Sequence, residues 1–332
     1  MCSAKRLTAA LGAGWIVAGG AGMVCAQSGA SGQPYPTRPI RLIVPYPAAG
    51  PNDMLARSVN DPLGKRLGQS VIIDNRGGAA TVIGAEIASN AAPDGYTLLL
   101  ATVSTLAVAP ALSTKLPYRP EDFVPISMLA AQPYALALHP GVPATSVTQL
   151  VAHAKANPGK LSFASAGVGT SAHLAGEMFK QMAGINVVHV PYKGGGPALN
   201  DLLAGQVAYM FGGISGMAPH GQSGKVRILG VSSAKRSASA PEIPTVAESG
   251  LAGFNTNTWN SLVAPRGTPA AIVTRLNTEV NVVMNLPEVK DRLKKQGIDP
   301  DPGTQAQLLA HVKSEIARFA ALIKAIGLQK VE

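Results

Sequence analysis

KLSFASAGVGTSAHLAGEMFKQMAGINVVHVPYKGGGPALNDLLAGQV, residues 160–207, carries the pattern that decides the fold. It opens on a short apolar run at 161–164, followed by a loop of small and hydroxyl residues from Ser165 to Ser171. Leu174, Met178 and Met182 then recur every four residues, which predicts one face of a helix that Gly184 ends. Residues 187–190 read as a second strand and 197–203 as a second helix. The unit is strand, loop, helix, strand, with the loop at the carboxyl end of the strand, where open α/β sheets hold ligands. Backbone N–H groups and hydroxyls at a helix start favour an anion there.

The same alternation runs outward. Towards the amino end, residues 40–44 form an apolar strand broken sharply by Pro45-Tyr46-Pro47-Ala48-Ala49-Gly50-Pro51-Asn52-Asp53. A helix to Leu67 follows, with Leu55, Val59 and Leu63 on one face and Gly68 as its stop. Residues 71–73 are a strand, 75–78 a turn, 82–91 a helix and 96–101 a third strand ending in Thr102-Val103-Ser104-Thr105. Strands alternating with helices predict a mainly parallel sheet. Residues 123–138 read as one or two strands broken at Pro133 and as a first crossing between domains. Ser146 and Gln149 have capping-box spacing before a helix to Ala156. Beyond the central unit, 209–211 and 228–231 add strands, 232–242 is a polar basic loop, and 255–264 is the return crossing. The tail is helical. Thr268-Pro269 starts one helix, and Thr304 with Gln307 starts the last, whose stripe is Leu308, Val312, Ile316, Phe319, Ile323 and Ile326.

The chain has 332 residues, enough for two domains, and 46% hydrophobic against 14% charged residues gives it a sizeable core. Residues 1–26 read as a secretory signal: Lys5 and Arg6, an apolar Gly/Ala-rich middle, then Val24-Cys25-Ala26. The alternatives are a membrane anchor, weakened by the glycines in that run, and a lipid anchor on Cys25, for which Met23 and Val24 are poor neighbours. Cleavage after Ala26 removes both cysteines, Cys2 and Cys25, and takes the formal charge from +10 to +8. A mature chain without thiols excludes disulfides, thiolate metal sites and a cysteine nucleophile. The basic residues are scattered rather than clustered, which argues against nucleic acid and leaves a general bias towards anions.

Gly167-Val168-Gly169-Thr170-Ser171-Ala172 fits the loosened dinucleotide pattern G-x-G-x-x-A in the right context. The second strand, however, ends in His189-Val190-Pro191-Tyr192 and lacks the acid that holds a ribose. A small carboxylate is the better use of that loop. The acyl-hydrolase elbow is absent, since His173 stands where its last glycine belongs. Ser171 and His173, two apart on a helix, point different ways. The six histidines show no short ligand spacing, so neither a metal nor a cofactor is expected. Lys193, in the loop before a helix, is either a point charge for a carboxylate or a solvated lysine. Tyr46 and Tyr192 are placed to cover an organic ligand from opposite sides or to pack half-buried. Asp53 either complements its helix dipole or receives a ligand donor, and its specialised loop favours the second.

YPTRPIRLIVPYPAAGPNDMLAR (35–57), DNRGGAATVIGAE (74–86), APDGYTLLLATVSTLAVAPAL (92–112), KANPGKLSFASAGVGTSAHLAGE (155–177), HVPYKGGGPALNDLLAGQV (189–207), SAKRSASAPEIPTVAESGL (233–251) and APRGTPAAIVTRLN (264–277) together resemble the Bug family. These are the extracytoplasmic receptors of tripartite tricarboxylate transporters. The match spans 35–327. The resemblance implies a periplasmic α/β binding protein of the two-domain Venus-flytrap type, with one domain at 34–130 and 258–332 and the other at 131–257. It implies a small carboxylate in the cleft, membrane transport subunits as partners, a monomer and no catalysis. Three departures bear on the ligand. Ala48-Ala49-Gly50-Pro51-Asn52-Asp53 stands where the family is rich in Pro and Gly before Thr-Asp, Leu106 replaces a frequent His, and Gly212 replaces a common Asp. Loss of that acid favours a purely anionic ligand over an amino acid.

The residues expected at the ligand are therefore Tyr46, Ala48, Ala49, Asn52 and Asp53; Thr102, Ser104 and Thr105; Ser165, Gly167, Gly169, Thr170 and Ser171; and Tyr192, Lys193 and Gly194. They offer backbone N–H groups and hydroxyls rather than salt bridges, which suits a receptor that must release its cargo. The rival readings are a sensor of the same fold that signals through a membrane partner and a secreted hydrolase or transferase.

Overall fold

Residues 35–325 and 327 are described by a computed structural model of the chain. The signal sequence expected at 1–26 and Ile326 of the closing helix lie outside them. No helix among the described residues is long and apolar enough to cross a membrane.

The strands are β1 (Ile40–Val44), β2 (Val71–Asn75), β3 (Thr97–Thr102), β4 (Phe123–Leu138), β5 (Ser162–Ser165), β6 (Val188–Pro191), β7 (Tyr209–Gly213), β8 (Arg227–Val231), β9 (Asn257–Pro265) and β10 (Asp299–Pro300). The helices are α1 (Pro51–Leu67), α2 (Val82–Ser89), α3 (Ala109–Leu112), α4 (Val147–Ala156), α5 (Ser171–Ala183), α6 (Gly195–Leu203), α7 (Ile214–Gln222), α8 (Ala270–Asn285), α9 (Pro287–Lys295) and α10 (Gln305–Ala325). Between β3 and α3 lies a π-helical turn, Ser104–Val108.

Across the sheet the order is β2-β1-β3-β9-β4-β7-β5-β6, with β8 and β10 also on β4. β1 is parallel to β2 and β3, and β5 is parallel to β6 and β7, as strand–helix–strand connections require. The expectation of mainly parallel sheets holds for those outer strands only. β4 and β9 run antiparallel to each other, β9 to β3, and β4 to β7, β8 and β10. These two carry the chain from one half of the molecule to the other and back, so they run against their neighbours. β4 is one continuous strand. Pro133 does not break it, because its pair with Asn257 is the last with β9, and from Tyr134 onwards the partner is β7. The proline's missing donor falls where the ladder changes neighbours.

Each half has a core on both faces of its sheet. In the first half, β1, β3 and β9 pack Leu42, Leu100 and Leu262 against α1, α8 and α9. The opposite face packs Leu99, Val263 and Trp259 against α2, the π-helical turn and α10. In the second half, Leu136, Phe163 and Phe211 meet α4 and α5, and Ala135, Ala164 and Met210 meet α6 and α7. One residue trespasses: Leu174 of α5 joins the first half's core.

The buried face of α5 differs from the four-residue stripe expected. Leu174 is buried, but Met178 is half-buried and Met182 exposed, while Ala175, Phe179 and Ala183 face the core. The helix must present small residues where the Phe163 ring lies across it: a Cβ on Gly176 would come within 2.1 Å of that ring. Gly184 stops α5 at φ +60°, the left-handed conformation glycine adopts freely. α10 buries Leu308, Val312, Phe319 and Ile323 as expected, with Ile316 half-buried. It also buries Glu315, whose carboxylate accepts from Trp259 Nε1 at 3.0 Å and is gripped by Arg318 at 2.7 and 2.9 Å. Burial pushes the Glu315 carboxyl up, but those bonds outweigh it and hold the group below its ordinary value.

Candidate functional site

Where β1 ends, the chain turns through Tyr46–Asp53 into α1. Pro51 at the first helical position presets the start. Asp53 is 2% exposed, and its carboxylate accepts from the Ala49 N–H (2.9 Å), Arg57 Nε (2.8 Å) and Asn75 Nδ2 (3.1 Å). Burial works against ionisation, yet these donors hold the carboxyl below its ordinary value. Asp53 is thus filled from within and organises its own loop, contrary to the role of receiving a ligand donor favoured from the sequence. Ala49, pinned to it, sits at φ +65°. Ala48 and Ala49 are exposed and Asn52 is half-buried.

At the end of β3, hydroxyls form a chain. Tyr46 Oη lies 3.3 Å from Thr102 Oγ1, which lies 3.2 Å from Thr105 Oγ1, which donates to Thr81 Oγ1 at 3.0 Å. Tyr118 closes it by donating to the Thr105 carbonyl at 2.8 Å. Burial raises the Tyr46 phenol, so it stays a neutral donor.

In the second half, Thr170 caps α5 by accepting the His173 N–H at 3.3 Å, and its own hydroxyl donates to the Gly167 carbonyl at 2.8 Å. Gly167 and Gly169 have φ of +130° and +79°, which this tight loop requires. Ser165 is fully buried and meets His189 Nε2 at 2.7 Å. The Gly169 N–H donates to His173 Nδ1 at 3.2 Å. His173, His189 and Phe163 form a stack with centroid spacings of 4.2 and 4.7 Å. Burial, and then neighbouring positive charge, lowers both imidazoles to about 4, so they are neutral props behind the loop.

The two halves meet at Ser171. Its N–H donates to Ser104 Oγ at 3.3 Å, and its hydroxyl lies 2.5 Å from Tyr134 Oη. Burial pushes the Tyr134 phenol up to about 12, opposed by the Ser171 and Thr258 hydroxyls. Thus Tyr46, Thr102, Ser104, Thr105, Gly169, Thr170 and Ser171 are brought together, as expected. Lys193 is exposed, and the Tyr192 hydroxyl donates to Asp201 at 2.6 Å rather than pointing free. Gly194 is half-buried with φ of +129°. Leu106 lies buried in the first half's core. Gly212 is buried against Met217, whose methyl would lie 2.4 Å from a Cβ there. Thr81 and Tyr134 were not anticipated. They reach the site through folding, with no local signal beyond the position of Tyr134 after Pro133.

His173, Glu177 and His189 offer atoms within 4.8 Å of one another. One nitrogen of each ring is engaged already, His173 Nδ1 by the Gly169 N–H and His189 Nε2 by Ser165, and Lys180 holds Glu177 at 2.9 Å. Stacked rings 24° apart do not aim their nitrogens at one point. The arrangement fits props better than metal ligands. Nor does Ser171 meet a carboxylate or imidazole among the described residues: its hydroxyl bonds Tyr134 and its N–H bonds Ser104.

The chain is 38% identical over 324 residues to Protein BugT of Bordetella pertussis, covering 97% of this chain and 98% of that one. Among solved structures it resembles Rpa4515 of R. palustris with adipate, at TM-score 0.84 and 36% identity over 88% of this chain and 98% of that one. It resembles MatC of Rhodopseudomonas palustris with bound malate at TM-score 0.81 and 32% identity, over 87% of this chain and all of that one. A sequence model of the tripartite tricarboxylate transporter family receptor matches residues 55–328. With two strand–helix halves joined by a pair of crossing strands and a cluster of uncharged donors between them, the chain belongs to the tripartite tricarboxylate transporter receptor family.

Proposed function

We propose that this protein is a periplasmic receptor that closes on a small organic carboxylate and delivers it to membrane transport subunits. The observation that carries this reading is the meeting of neutral donors from both halves at Ser171, with Ser104 and Tyr134 around it. Buried hydroxyls and N–H groups stabilise an anion without the cost of breaking a buried ion pair at release. Relatives that carry adipate and malate support the ligand class. The ligand loops are 46–53, 102–105, 165–171 and 192–194, and the halves divide near 131 and 258. Binding energy then shifts an open population to a closed one. The protein acts as a monomer after its signal is cleaved near Ala26, and it does not turn its ligand over.

A thermal-shift and calorimetric screen of mono-, di- and tricarboxylates tests this. A ligand at a hundred times its dissociation constant raises stability by about 2.7 kcal/mol. Changing Thr170 and Ser171 together to Ala weakens the best acid, with a stability loss of about 1 kcal/mol from the lost α5 cap. Failure of every acid to bind overturns the reading, and consumption of a bound acid would make the protein an enzyme.

A further inference from the structure

The floor beneath the loops carries a row of buried polar side chains. Asn260 of β9 stands opposite Thr102 on β3 and Ala130 on β4, and Gln132 stands opposite Thr258. Facing residues of an antiparallel pair share a face. Ala130 and Leu262 belong to the core that packs against α1, so strand alternation puts Asn260, Thr258, Gln132 and Thr102 on that face. Tyr46 packs against the same core. Tyr134, two residues beyond Gln132, extends that row to Ser171. The row therefore runs from the hydroxyl chain of one half to the meeting point of the two.

Asn260 is 1% exposed and Gln132 is 3%. Asn260 Oδ1 has no hydrogen-bond partner among the described residues. The Gln132 amide likewise forms no side-chain hydrogen bond among them. On the opposite face of the same strand, Trp259 is equally buried but is satisfied by Glu315. A buried amide without a partner is costly, and a native fold keeps one where something else completes it.

We infer that Asn260, with Gln132 beside it, is a specificity-determining contact for the end of the ligand remote from its loop-bound carboxylate. This rests on the carboxylate-receptor reading. An amide both donates and accepts, and no cation lies in this row. It fits a remote end bearing oxygen, a hydroxyl or a second carboxyl, and it penalises a remote methyl, which leaves the amide unpaired. The crossing strands thus select the ligand, while the loops grip what all candidate acids share.

The test is calorimetry on the mature chain with two matched sets: butyrate, 4-hydroxybutyrate and succinate, then hexanoate, 6-hydroxyhexanoate and adipate. The expected result is that, at one chain length at least, a member with a second oxygen-bearing end binds tenfold or more tightly than its methyl-ended partner. The hydroxyl and carboxyl members show which end is read. Asn260→Leu, of similar size, abolishes that preference by weakening the two-ended acid while the methyl-ended acid holds or gains. Gln132→Leu serves the same purpose if the first variant does not fold. Equal binding within both sets by the unaltered protein overturns the inference and leaves the receptor reading intact. Equal weakening of both kinds of acid by the variants does the same, since it makes the amides merely structural. Binding of none of the six acids overturns the inference, and extension of that failure to the whole acid screen overturns the receptor reading too.

Discussion

The backbone N–H of Ser171 donates to the side-chain oxygen of Ser104 at 3.3 Å, although 67 residues separate them. One belongs to the start of α5 and the other to the π-helical turn after β3, so this bond ties the halves at the proposed ligand loops. Ser104→Ala removes the acceptor and leaves the cores untouched. The expected outcome is a five- to tenfold loss of carboxylate affinity, about 1 to 1.4 kcal/mol, with unfolding stability changed by less than about 1 kcal/mol. Titration calorimetry and urea unfolding of the same sample check both.

Asp53 holds the first loop through Ala49, Arg57 and Asn75. Asp53→Ala removes the buried acceptor shared by Ala49, Arg57 and Asn75 and frees a loop held at a positive φ, for an expected loss of about 1–3 kcal/mol. The carboxyl lies below its ordinary value in the folded state. Its contribution is therefore present above the ordinary carboxylate range and is lost as pH falls through the lowered value. The variant's deficit, measured by urea unfolding, should be full at pH 7 and shrink on acidification below about pH 4.

Gly176 is helical, and alanine is the better helix former by about 1 kcal/mol. Here the added methyl meets the Phe163 ring, with the three nearest ring atoms at 2.1, 2.6 and 2.7 Å. That ring is stacked on His189, so it has little room to yield. Gly176→Ala is expected to destabilise by about 1–3 kcal/mol despite its helix propensity. A gain in midpoint denaturant concentration would refute this packing.

His173 and His189 titrate near 4 when folded, against an ordinary value of 6.5. The unfolded chain takes up protons first as pH falls, so the neutral stack's contribution is full above about pH 6.5 and declines towards pH 4. The expected loss between pH 7 and pH 4.5 is about 2 kcal/mol for each imidazole. His189→Gln should flatten that slope in unfolding experiments, and an unchanged slope would show that the stack is not its source.

Much of the architecture is local, and local features are legible. Thr170 and Thr304 sit before helices because their oxygens accept orphan N–H groups there, and both bonds form. Gly68 and Gly184 stop helices by adopting the left-handed conformation at φ +75° and +60°. The capping pair at Ser146 shows the limit. Ser146 does accept from Gln149, but the Gln149 side chain turns to Thr145 instead of Ser146. α7 has no local signal, because Gly213, Gly216 and Pro219 give no helical periodicity, and its Ile214 and Met217 are buried with Met210 in the second half's core.

The sequence by itself determined most of the order of strands and helices, the placing of Gly- and hydroxyl-rich loops at strand ends, and the family. Each follows from short-range periodicity, capping and a chain-long series of motifs. Tertiary structure alone decided that Asp53 is filled from within, that Tyr192 turns to Asp201, that Thr81 and Tyr134 join the hydroxyl cluster, and that Asn260 lies opposite Thr102. Some of these contacts are short-range, four residues from Asp53 to Ala49 and Arg57 and nine from Tyr192 to Asp201, and others join distant residues, such as Tyr134 and Ser171. In each case only the folded backbone decides which of several available partners is met. A side chain's chemistry can be read from its letter, whereas whether its hydrogen bonds are already spent depends on what the fold places against it.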